Sequence, residues 1–222
     1  TLPGMKECAA IVHASPALGA RFVQYTAEFE SGGELGPTSA QRFVFVLEGQ
    51  LRLEVDGRQS DVGIRGYAYL PEDLPHRIVA TGQSRAAVIE KRYQRLDSVE
   101  SPRILISSED VVPSHSLGDD ESLQVRCLLP DTMNFDFAVN TMAYQPGASL
   151  SMVEMHVMEH GLLMLEGGGI YRLGDSWYPV TAGDFIWMAP WCPQWFGAIG
   201  KVAAKYLIYK DWNRHPLAES AR

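Results

Sequence analysis

The chain carries two copies of one sequence pattern, and this internal repeat limits the folds that it can adopt. Residues 45–49 (FVLEG) recur as residues 163–167 (LMLEG), so the offset from Phe45 to Leu163 is 118 residues. The closing segments of the copies also agree, since residues 88–91 (VIEK) resemble residues 207–210 (LIYK). Matches in the same order in both halves indicate two domains of one topology.

Each copy consists of short apolar or alternating runs separated by Gly, Pro, Asp-Gly or Gly-Asp, which is typical of hairpins in a β-sandwich or barrel. With 20 Gly and 13 Pro in 222 residues and few long helical patterns, the chain is predicted to be all-β. Residues 98–122, rich in Ser, Asp, Glu and Pro, separate the copies. We therefore predict two tandem domains, residues 1–107 and 108–222. In the alternative, one continuous sandwich with a fortuitous repeat, the halves would not share a topology.

Charge and cysteine content limit the partners. The formal net charge is −8 without a Lys- or Arg-rich run, which argues against nucleic acid or an anionic membrane and favours a small-molecule ligand. The three cysteines lie far apart in sequence, so neither a disulfide framework nor a cysteine metal site is indicated. No secretory signal or run of about eighteen apolar residues is present. We expect a cytoplasmic protein, which leaves open a segment removed upstream of Thr1.

Residues 154–160 (EMHVMEH) are the segment that most strongly suggests chemistry. On a strand, residues i and i+2 project from the same face, so Glu154 and His156 would converge there, with His160 in phase if the strand continues. A carboxylate, two imidazoles and one more oxygen or nitrogen donor suit Mn²⁺, Fe²⁺, Ni²⁺ or Zn²⁺. The absence of a thiolate argues against structural zinc. A solvated strand face with the same residues is the alternative.

The residues that follow make this pattern more specific. His160 is followed by an apolar run and Gly167, and residues 183–190 read Gly-Asp, a strand and Pro. This resembles the two motifs of the cupin superfamily with the ligand types permuted, and it implies two double-stranded β-helix, or jelly-roll, domains. The metal ligands implied by the resemblance are Glu154, His156, His160 and Gln194. For Gln194, a pocket hydrogen bond without ligation is the alternative.

A narrower resemblance covers about the whole chain and is most specific in the second half. Residues 171–180 (YRLGDSWYPV), 187–190 (WMAP), 193–195 (PQW) and 209–217 (YKDWNRHPL) are similar to the (S)-ureidoglycine aminohydrolase family. This family resemblance implies a bicupin that binds Mn²⁺, or another divalent transition metal. It also implies hydrolysis of (S)-ureidoglycine to (S)-ureidoglycolate and ammonia, a step of allantoin and purine breakdown. We further expect a homo-oligomer.

The resemblance also implies roles for individual side chains. Candidates for substrate binding are Glu154, Gln194, Tyr206 and Lys210, with Tyr171 as a weaker one, and the catalytic candidates are Glu154, Lys210 and Tyr206. Alternation along a strand places Tyr206 and Lys210 on one face, so Lys210 is expected to point inward and pair with a substrate carboxylate. An exposed lysine at a strand end is the alternative. Four tryptophans could roof the pocket or belong to the core or an interface: Trp177, Trp187, Trp191 and Trp195.

The first copy lacks the candidate ligands. Opposite Glu154, His156 and His160 it has Gly36, Thr38 and Arg42, and His76 lies opposite Gln194. One histidine cannot hold a catalytic metal, so this copy is predicted to be a structural domain used for packing, interdomain contact or a dimer interface. A metal-free small-molecule pocket built on Arg42 and His76 is the alternative.

Other functional classes occur on the cupin fold, so the fold alone does not decide the activity. Dioxygenases, decarboxylases, sugar isomerases and small-molecule binding modules are the alternatives to a hydrolase. A redox cupin is expected to use three histidines and an acid, whereas this chain offers two candidate histidine ligands. A transcription regulator would need a DNA-binding segment, which the sequence lacks.

Overall fold

The computed structural model describes residues 1–214, so His215, Pro216 and Leu217 of the family pattern lie outside the described residues. The described residues form β-strands and two short 3-10 helices, which confirms the all-β prediction. No helix in this range is long and apolar enough to span a membrane. The chain divides into two compact units, Thr1–Val111 and a second unit that begins at Val112.

The first unit forms one antiparallel sheet that folds back over its own core. Its strands follow the spatial order β5-β4-β7-β2-β8-β3-β6-β9, and β1 pairs with β2. These elements are β1 (Met5–Ala14), a 3-10 helix (Pro16–Leu18), β2 (Val23–Leu35), β3 (Gln41–Glu48), β4 (Gln50–Val55), β5 (Arg58–Gly63), β6 (Gly66–Leu70), β7 (His76–Ala80), β8 (Ser84–Lys91), β9 (Leu105–Ser108) and a 3-10 helix (Glu109–Val111). Alternation along β2 places Tyr25, Ala27 and Phe29 in the core, as the period of two requires.

The first unit extends beyond the predicted division between residues 107 and 108. That division would cut β9, which pairs along its length with β6 from Gly66↔Ser108 to Tyr69↔Leu105. After β9, the fully buried Glu109 accepts a hydrogen bond from Arg65 Nε at 3.0 Å. The strand pairing and the buried ion pair attach residues 105–109 to the first unit.

The second unit contains two antiparallel sheets. Its elements are β10 (His115–Leu117), β11 (Asp120–Cys127), β12 (Phe137–Tyr144), β13 (His160–Glu166), β14 (Gly168–Leu173), β15 (Ser176–Thr181), β16 (Phe185–Met188), β17 (Gln194–Gly197) and β18 (Ala204–Asp211). The strand orders are β10-β11-β12-β18-β13-β16 and β15-β14-β17. Side chains from both sheets, among them Leu162, Tyr171, Phe196 and Tyr206, share one hydrophobic core.

The two units share the strand pairing around β3 and β13 and around β4 and β14, which excludes the continuous sandwich. β3 lies between β8 and β6, as β13 lies between β18 and β16, and β4 lies between β5 and β7, as β14 lies between β15 and β17. Even the register is repeated, since Val55 pairs with His76 and Leu173 pairs with Gln194. The repeat in the sequence therefore corresponds to a repeat in topology.

One detail of the sequence alignment changes. In the register of β3 with β8, Arg42 pairs with Glu90, and in that of β13 with β18, His160 pairs with Lys210. The structural counterpart of Lys210 is therefore Glu90, one position before Lys91. The match of residues 88–91 to 207–210 was displaced because both segments carry similar apolar runs.

The turn after β13 requires a glycine. Gly167 adopts φ +64°, in the left-handed region, and a Cβ at this position would clash with the backbone oxygen of Ala203. Gly174 also has a positive φ of +58°, but nothing lies within 4 Å of the place where its Cβ would be. The two glycines thus share the conformational requirement and differ in the space around them.

This difference gives a stability prediction. We expect Gly174→Ala to lower the free energy of unfolding by about 1 kcal/mol, which is the cost of a left-handed non-glycine residue. Gly167→Ala should cost about 2 to 4 kcal/mol, because the steric overlap is added to that cost. Urea unfolding of both variants measures the difference. Equal losses would show that the backbone at Ala203 moves away without cost.

Candidate active site

The second unit contains a cavity of about 370 Å³, which we refer to as the site cavity. Apolar side chains such as Val125, Leu150 and Ile208 form part of its wall. An apolar cavity into which a few polar groups converge is the usual form of a small-molecule site. All seven residues predicted from the sequence line it: Glu154, His156, His160, Tyr171, Gln194, Tyr206 and Lys210.

Strand phase and register bring three of these side chains together. Tyr206 and Lys210 stand four residues apart on β18 and both face the site cavity, as predicted. His160, the first residue of β13, pairs directly with Lys210 across the ladder. Tyr209, between Tyr206 and Lys210 in sequence, points to the other side of the sheet. Its ring packs on that of Phe137, with ring centres 5.5 Å apart.

The strand does not continue from Glu154 to His160, so the condition for His160 to lie in phase by alternation is not met. Glu154 forms an isolated bridge with Gln194, in which each backbone N–H donates to the other residue's carbonyl oxygen at 2.8 Å. Two residues later, the carbonyl oxygen of His156 accepts a hydrogen bond from Trp191 N at 2.7 Å. The chain then bends at residues 157–158, and β13 begins only at His160. A bend therefore aims His160 at the cavity, whereas strand alternation was expected to do so.

Glu154 and His156 are in direct contact. The His156 Nε2 and Glu154 Oε2 atoms are 3.1 Å apart, and the two side chains are 36% and 33% exposed. The imidazole of His156 also lies edge-on to that of His160, with ring centres 5.0 Å apart. Both imidazoles and the carboxylate therefore occupy one corner of the cavity.

His160 is buried in an unusual electrostatic environment. Its Nδ1 atom is buried and has no hydrogen-bond partner among residues 1–214. Burial lowers the pKa of His160 to about 3, and the charges of His156 and Lys210 act in the same direction. The ring is therefore neutral at physiological pH, which is the form that ligates metals. An unpartnered buried nitrogen is costly, so a ligand for this ring would stabilise the site.

Two tyrosines supply hydroxyl groups to the cavity. The Tyr171 hydroxyl donates to Gln194 Oε1 at 3.0 Å, and the hydroxyls of Tyr206 and Tyr144 are 2.7 Å apart. Burial raises the pKa of Tyr171 and of Tyr206 well above the ordinary value, so both stay protonated. They can donate hydrogen bonds but cannot act as bases near neutral pH. Gln194 makes a pocket hydrogen bond, the contact given as the alternative to ligation, and its oxygen keeps a second lone pair.

Lys210 points inward and has an aromatic neighbour that the sequence analysis missed. Burial lowers the pKa of Lys210, although Cys127, Asp131 and Glu154 partly oppose this shift. Its ammonium nitrogen lies 4.3 Å from the ring centre of Trp212, which also lines the site cavity. The signal was available, because Trp212 follows Lys210 by two residues and so shares its phase.

The four tryptophans considered as a roof lie elsewhere. Trp177 and Trp191 are 56% and 57% exposed, and neither lines the site cavity in the described part of the chain. The indole N–H of Trp187 donates to Glu159 at 2.9 Å, and that of Trp195 donates to the Leu150 carbonyl oxygen at 2.7 Å. These two rings therefore serve the packing around the cavity.

Comparison with known proteins identifies the family. The cupin-domain model matches residues 26–90 and 140–209. An (S)-ureidoglycine aminohydrolase of Arabidopsis thaliana is 42% identical over 206 residues, which cover 91% of this chain and 68% of the relative. The chain belongs to the (S)-ureidoglycine aminohydrolase family of cupin proteins. The Escherichia coli (strain K12) family member is 29% identical over 220 residues, covering 96% of this chain and 84% of the relative.

The chain is shorter than the plant relatives that it matches. A relative in Oryza sativa subsp. japonica, named probable (S)-ureidoglycine aminohydrolase, is also 42% identical, and the chain spans 66% of its length. Among solved structures, a protein of Pseudomonas aeruginosa described as glyoxylate induced superposes with a TM-score of 0.88 at 33% identity, covering 97% of this chain and 83% of that one. An oxalate decarboxylase variant of Bacillus subtilis, with a TM-score of 0.70 at 14% identity and covering 93% of this chain and 73% of that one, shares the fold.

The candidate ligands have the atom types that a metal ion needs, but they do not all lie at ligand distances from one point. Within residues 1–214, no group of three or more His, Cys, Asp or Glu side chains is placed to hold an ion. However, two ligand atoms that are each about 2.1 Å from one ion and about 90° apart would lie about 3 Å from each other. The 3.1 Å separation of Glu154 Oε2 and His156 Nε2 matches that edge. The unpartnered nitrogen of His160 adds a neutral donor nearby.

In the first unit, a guanidinium group stands where His160 stands in the second. Arg42 is 2% exposed, and its Nη2 atom lies 2.7 Å from Glu90 Oε1. Its Nη1 atom donates to the Gly36 carbonyl oxygen at 2.7 Å and is 2.7 Å from His76 Nε2. The Tyr25 hydroxyl donates to the same Glu90 oxygen at 3.0 Å. Arg42 stands at the position of His160. It contacts the residues at the positions of Glu154, Gln194 and Lys210.

This network argues against a small-molecule pocket built on Arg42 and His76. His76 Nδ1 bonds the Leu74 carbonyl oxygen at 2.7 Å, so both ring nitrogens of His76 are engaged. Because Nδ1 faces an acceptor, it carries the proton, and Nε2 then accepts from Arg42. Burial and the neighbouring Arg42 charge lower the pKa of His76 to about 4.

The lowered pKa of His76 predicts a pH-dependent stability. The pKa is about 4 when folded and about 6.5 when unfolded, so the unfolded chain binds more protons between these values. The stabilising contribution is present above pH 6.5 and is lost as the pH falls to 4. The glutamine of His76→Gln can hydrogen-bond both Arg42 and Leu74 and does not titrate. We expect this variant to lose up to about 3 kcal/mol less free energy of unfolding than the wild type as the pH falls from 6.5 to 4.

Urea unfolding at several pH values between 4 and 7 measures this effect. His115→Gln is the matched control, because His115 is exposed. Parallel stability curves for the wild type and His76→Gln would contradict the prediction.

Proposed function

We propose that the chain hydrolyses (S)-ureidoglycine to (S)-ureidoglycolate and ammonia. The observation that carries the proposal is the convergence of Glu154, His156, His160, Gln194, Tyr206 and Lys210 on one cavity of about 370 Å³. Membership of a family whose members bear the name of this reaction supports it. The chain spans 66% and 68% of the length of its two plant relatives.

The polar groups of the cavity match those of the proposed substrate. (S)-Ureidoglycine has one carbon that bears a carboxylate, an amine and a ureido group. Lys210 is the one ammonium group among the described lining residues and can pair with the carboxylate. The protonated Tyr206 hydroxyl can donate a hydrogen bond to a substrate oxygen. Holding the substrate at several points fixes which face of the chiral carbon is presented.

We propose Glu154, His156, His160 and Gln194 as the residues that hold a Mn²⁺ ion. When bound, the ion would supply a Lewis acid that holds the carboxylate and amine of the substrate. This donor set of one carboxylate, two imidazoles and one amide oxygen suits manganese by ligand hardness. The neutral His160 ring with its unpartnered nitrogen supports this assignment.

The reaction replaces one bond at the substrate carbon. The bond from this carbon to the amine nitrogen breaks, and a bond to a water oxygen forms, so that ammonia and the hydroxy acid result. The water must lose a proton and the leaving amine must gain one. Glu154 is the proposed group for both transfers, and the observation that its carboxylate lines the cavity and is one-third exposed supports this role. Tyr206 and Lys210 keep the substrate in place during these steps.

An ammonia-release assay tests the proposed function. With freshly generated (S)-ureidoglycine, the protein should release ammonia, whereas ureidoglycolate and allantoate should give none. Treatment with a chelator should abolish the release and added Mn²⁺ should restore it, because the ion would supply the Lewis acid at the site. Absence of ammonia release by the Mn²⁺-loaded protein would refute the hydrolase, and full activity after chelation would refute the metal requirement.

Variants of the candidate ligands test the residue assignment separately. We expect His156→Ala and His160→Ala to lose bound manganese, as measured by elemental analysis of the purified protein. Glu154→Gln should lower kcat by at least about 100-fold, because it removes the proton-transferring carboxylate. His76→Gln in the first unit is the matched control and should keep both metal and activity. If His76→Gln loses the metal and His156→Ala retains it, the metal site lies in the first unit and the assignment to the second unit is wrong.

A further inference from the structure

The Lys210 side chain is half-buried and has no opposite charge bound to it. Among residues 1–214 its ammonium group makes no ion pair, and its close partner is the ring of Trp212 at 4.3 Å from the ring centre. This distance is within the range of about 6 Å over which an aromatic face attracts a cation. Lys210 thus rests on a neutral surface and keeps its charge available to the cavity.

The ring of Trp212 is itself held in place. Its indole Nε1 donates to Asp131 Oδ1 at 2.6 Å, and its backbone N–H donates to the Asp136 carbonyl oxygen at 3.1 Å. The next residue strengthens the attachment, because the Asn213 side-chain amide donates to the carbonyl oxygens of Thr132 at 2.8 Å and Phe135 at 3.2 Å. The segment before β12 therefore fixes the orientation of the indole.

A fixed aromatic face matters for a lysine more than for most residues. The four-carbon stem is flexible, so an unsupported ammonium group would spread over many rotamers and lose entropy on binding an anion. An acidic partner would also restrict the stem, but it would compete with a substrate carboxylate for the same charge. An indole face restricts the ammonium group without neutralising it. Asp131 can hold the indole from the exposed side, where its own charge is solvated.

We propose that Trp212 and Asp131 are positioning residues that hold the Lys210 ammonium group ready for the substrate carboxylate. Asp131 orients the indole, the indole orients the ammonium group, and the ammonium group binds the carboxylate. This inference deepens the proposed function and rests on it. It assigns a role in substrate affinity to two residues that do not take part in the bond changes.

Four variants separate the parts of this arrangement. Trp212→Leu removes both the aromatic face and the indole N–H, whereas Trp212→Phe keeps a face and loses the N–H. Asp131→Ala removes the acceptor, and Asp131→Asn keeps an acceptor oxygen without the charge. Trp177→Leu is the matched control, because this exposed tryptophan of the same unit does not line the site cavity.

The measurements are KM and kcat for ammonia release by the Mn²⁺-loaded protein, and the Kd of (S)-ureidoglycolate by calorimetry. This product carries the same carboxylate and does not react. We expect Trp212→Leu to raise both KM and Kd by about tenfold with kcat changed less than about twofold. Asp131→Asn should stay close to the wild type, because it keeps the acceptor oxygen. Trp212→Phe and Asp131→Ala both lose the hydrogen bond and keep an aromatic face, so both should lie between the wild type and Trp212→Leu. Trp177→Leu should resemble the wild type.

Other outcomes would overturn the inference. If Trp212→Leu is active with KM and Kd as in the control, the ammonium group does not depend on the indole. If Trp212→Leu loses metal, kcat and thermal stability together, and Trp212→Phe does the same, Trp212 has only a structural role. A wild-type protein that releases no ammonia overturns the proposed function, and this inference with it. An active wild type with unchanged Trp212 variants overturns this inference alone.

Discussion

The antiparallel pairing of β13 with β18 is the interaction on which the candidate site depends. It places His160 opposite Lys210, and the alternation of β18 places Tyr206 on the same face as Lys210. Any slip of one residue in this ladder would turn Tyr206 and Lys210 away from the cavity. The second sheet then adds Gln194 and Tyr171 from the neighbouring strands β17 and β14, so strand register positions most of the polar lining.

The two units carry different charges at corresponding interior positions. In the first, the cation and the acid belong to the protein, and Arg42 with Glu90 forms a buried ion pair that also engages His76. In the second, His160 is neutral and Lys210 keeps its charge, so the interior has unsatisfied polar groups. Such groups cost free energy unless something binds them. The first unit is thus complete by itself, whereas the second is suited to ligands from solution.

Much of the fold followed from the sequence, because repeats, turn residues and strand alternation are local signals. The lining residues could be predicted because residues an even number of positions apart on a strand face the same side, as Tyr206 and Lys210 do. Local phase failed between Glu154 and His160, where hydrogen bonds to Gln194 and Trp191 from a distant segment replace a neighbouring strand. The place of Trp212 beside Lys210 could have been found from the spacing of two residues, but its contact with Asp131 could not, since that contact joins residues 81 positions apart.

The reciprocal charges of the two units have a consequence for how such a repeat can diverge. A histidine at position 42 alone would leave Glu90 buried without its cation, and a lysine at position 90 alone would set two cations against each other. Removing one member of a buried pair is strongly unfavourable. Conversion of the first unit into a second copy of the site therefore requires both of these changes together, besides new ligands in place of Gly36 and Thr38. Either substitution alone, at position 42 or at position 90, would lower the stability of the first unit without giving it a site. This cost favours keeping the two units different.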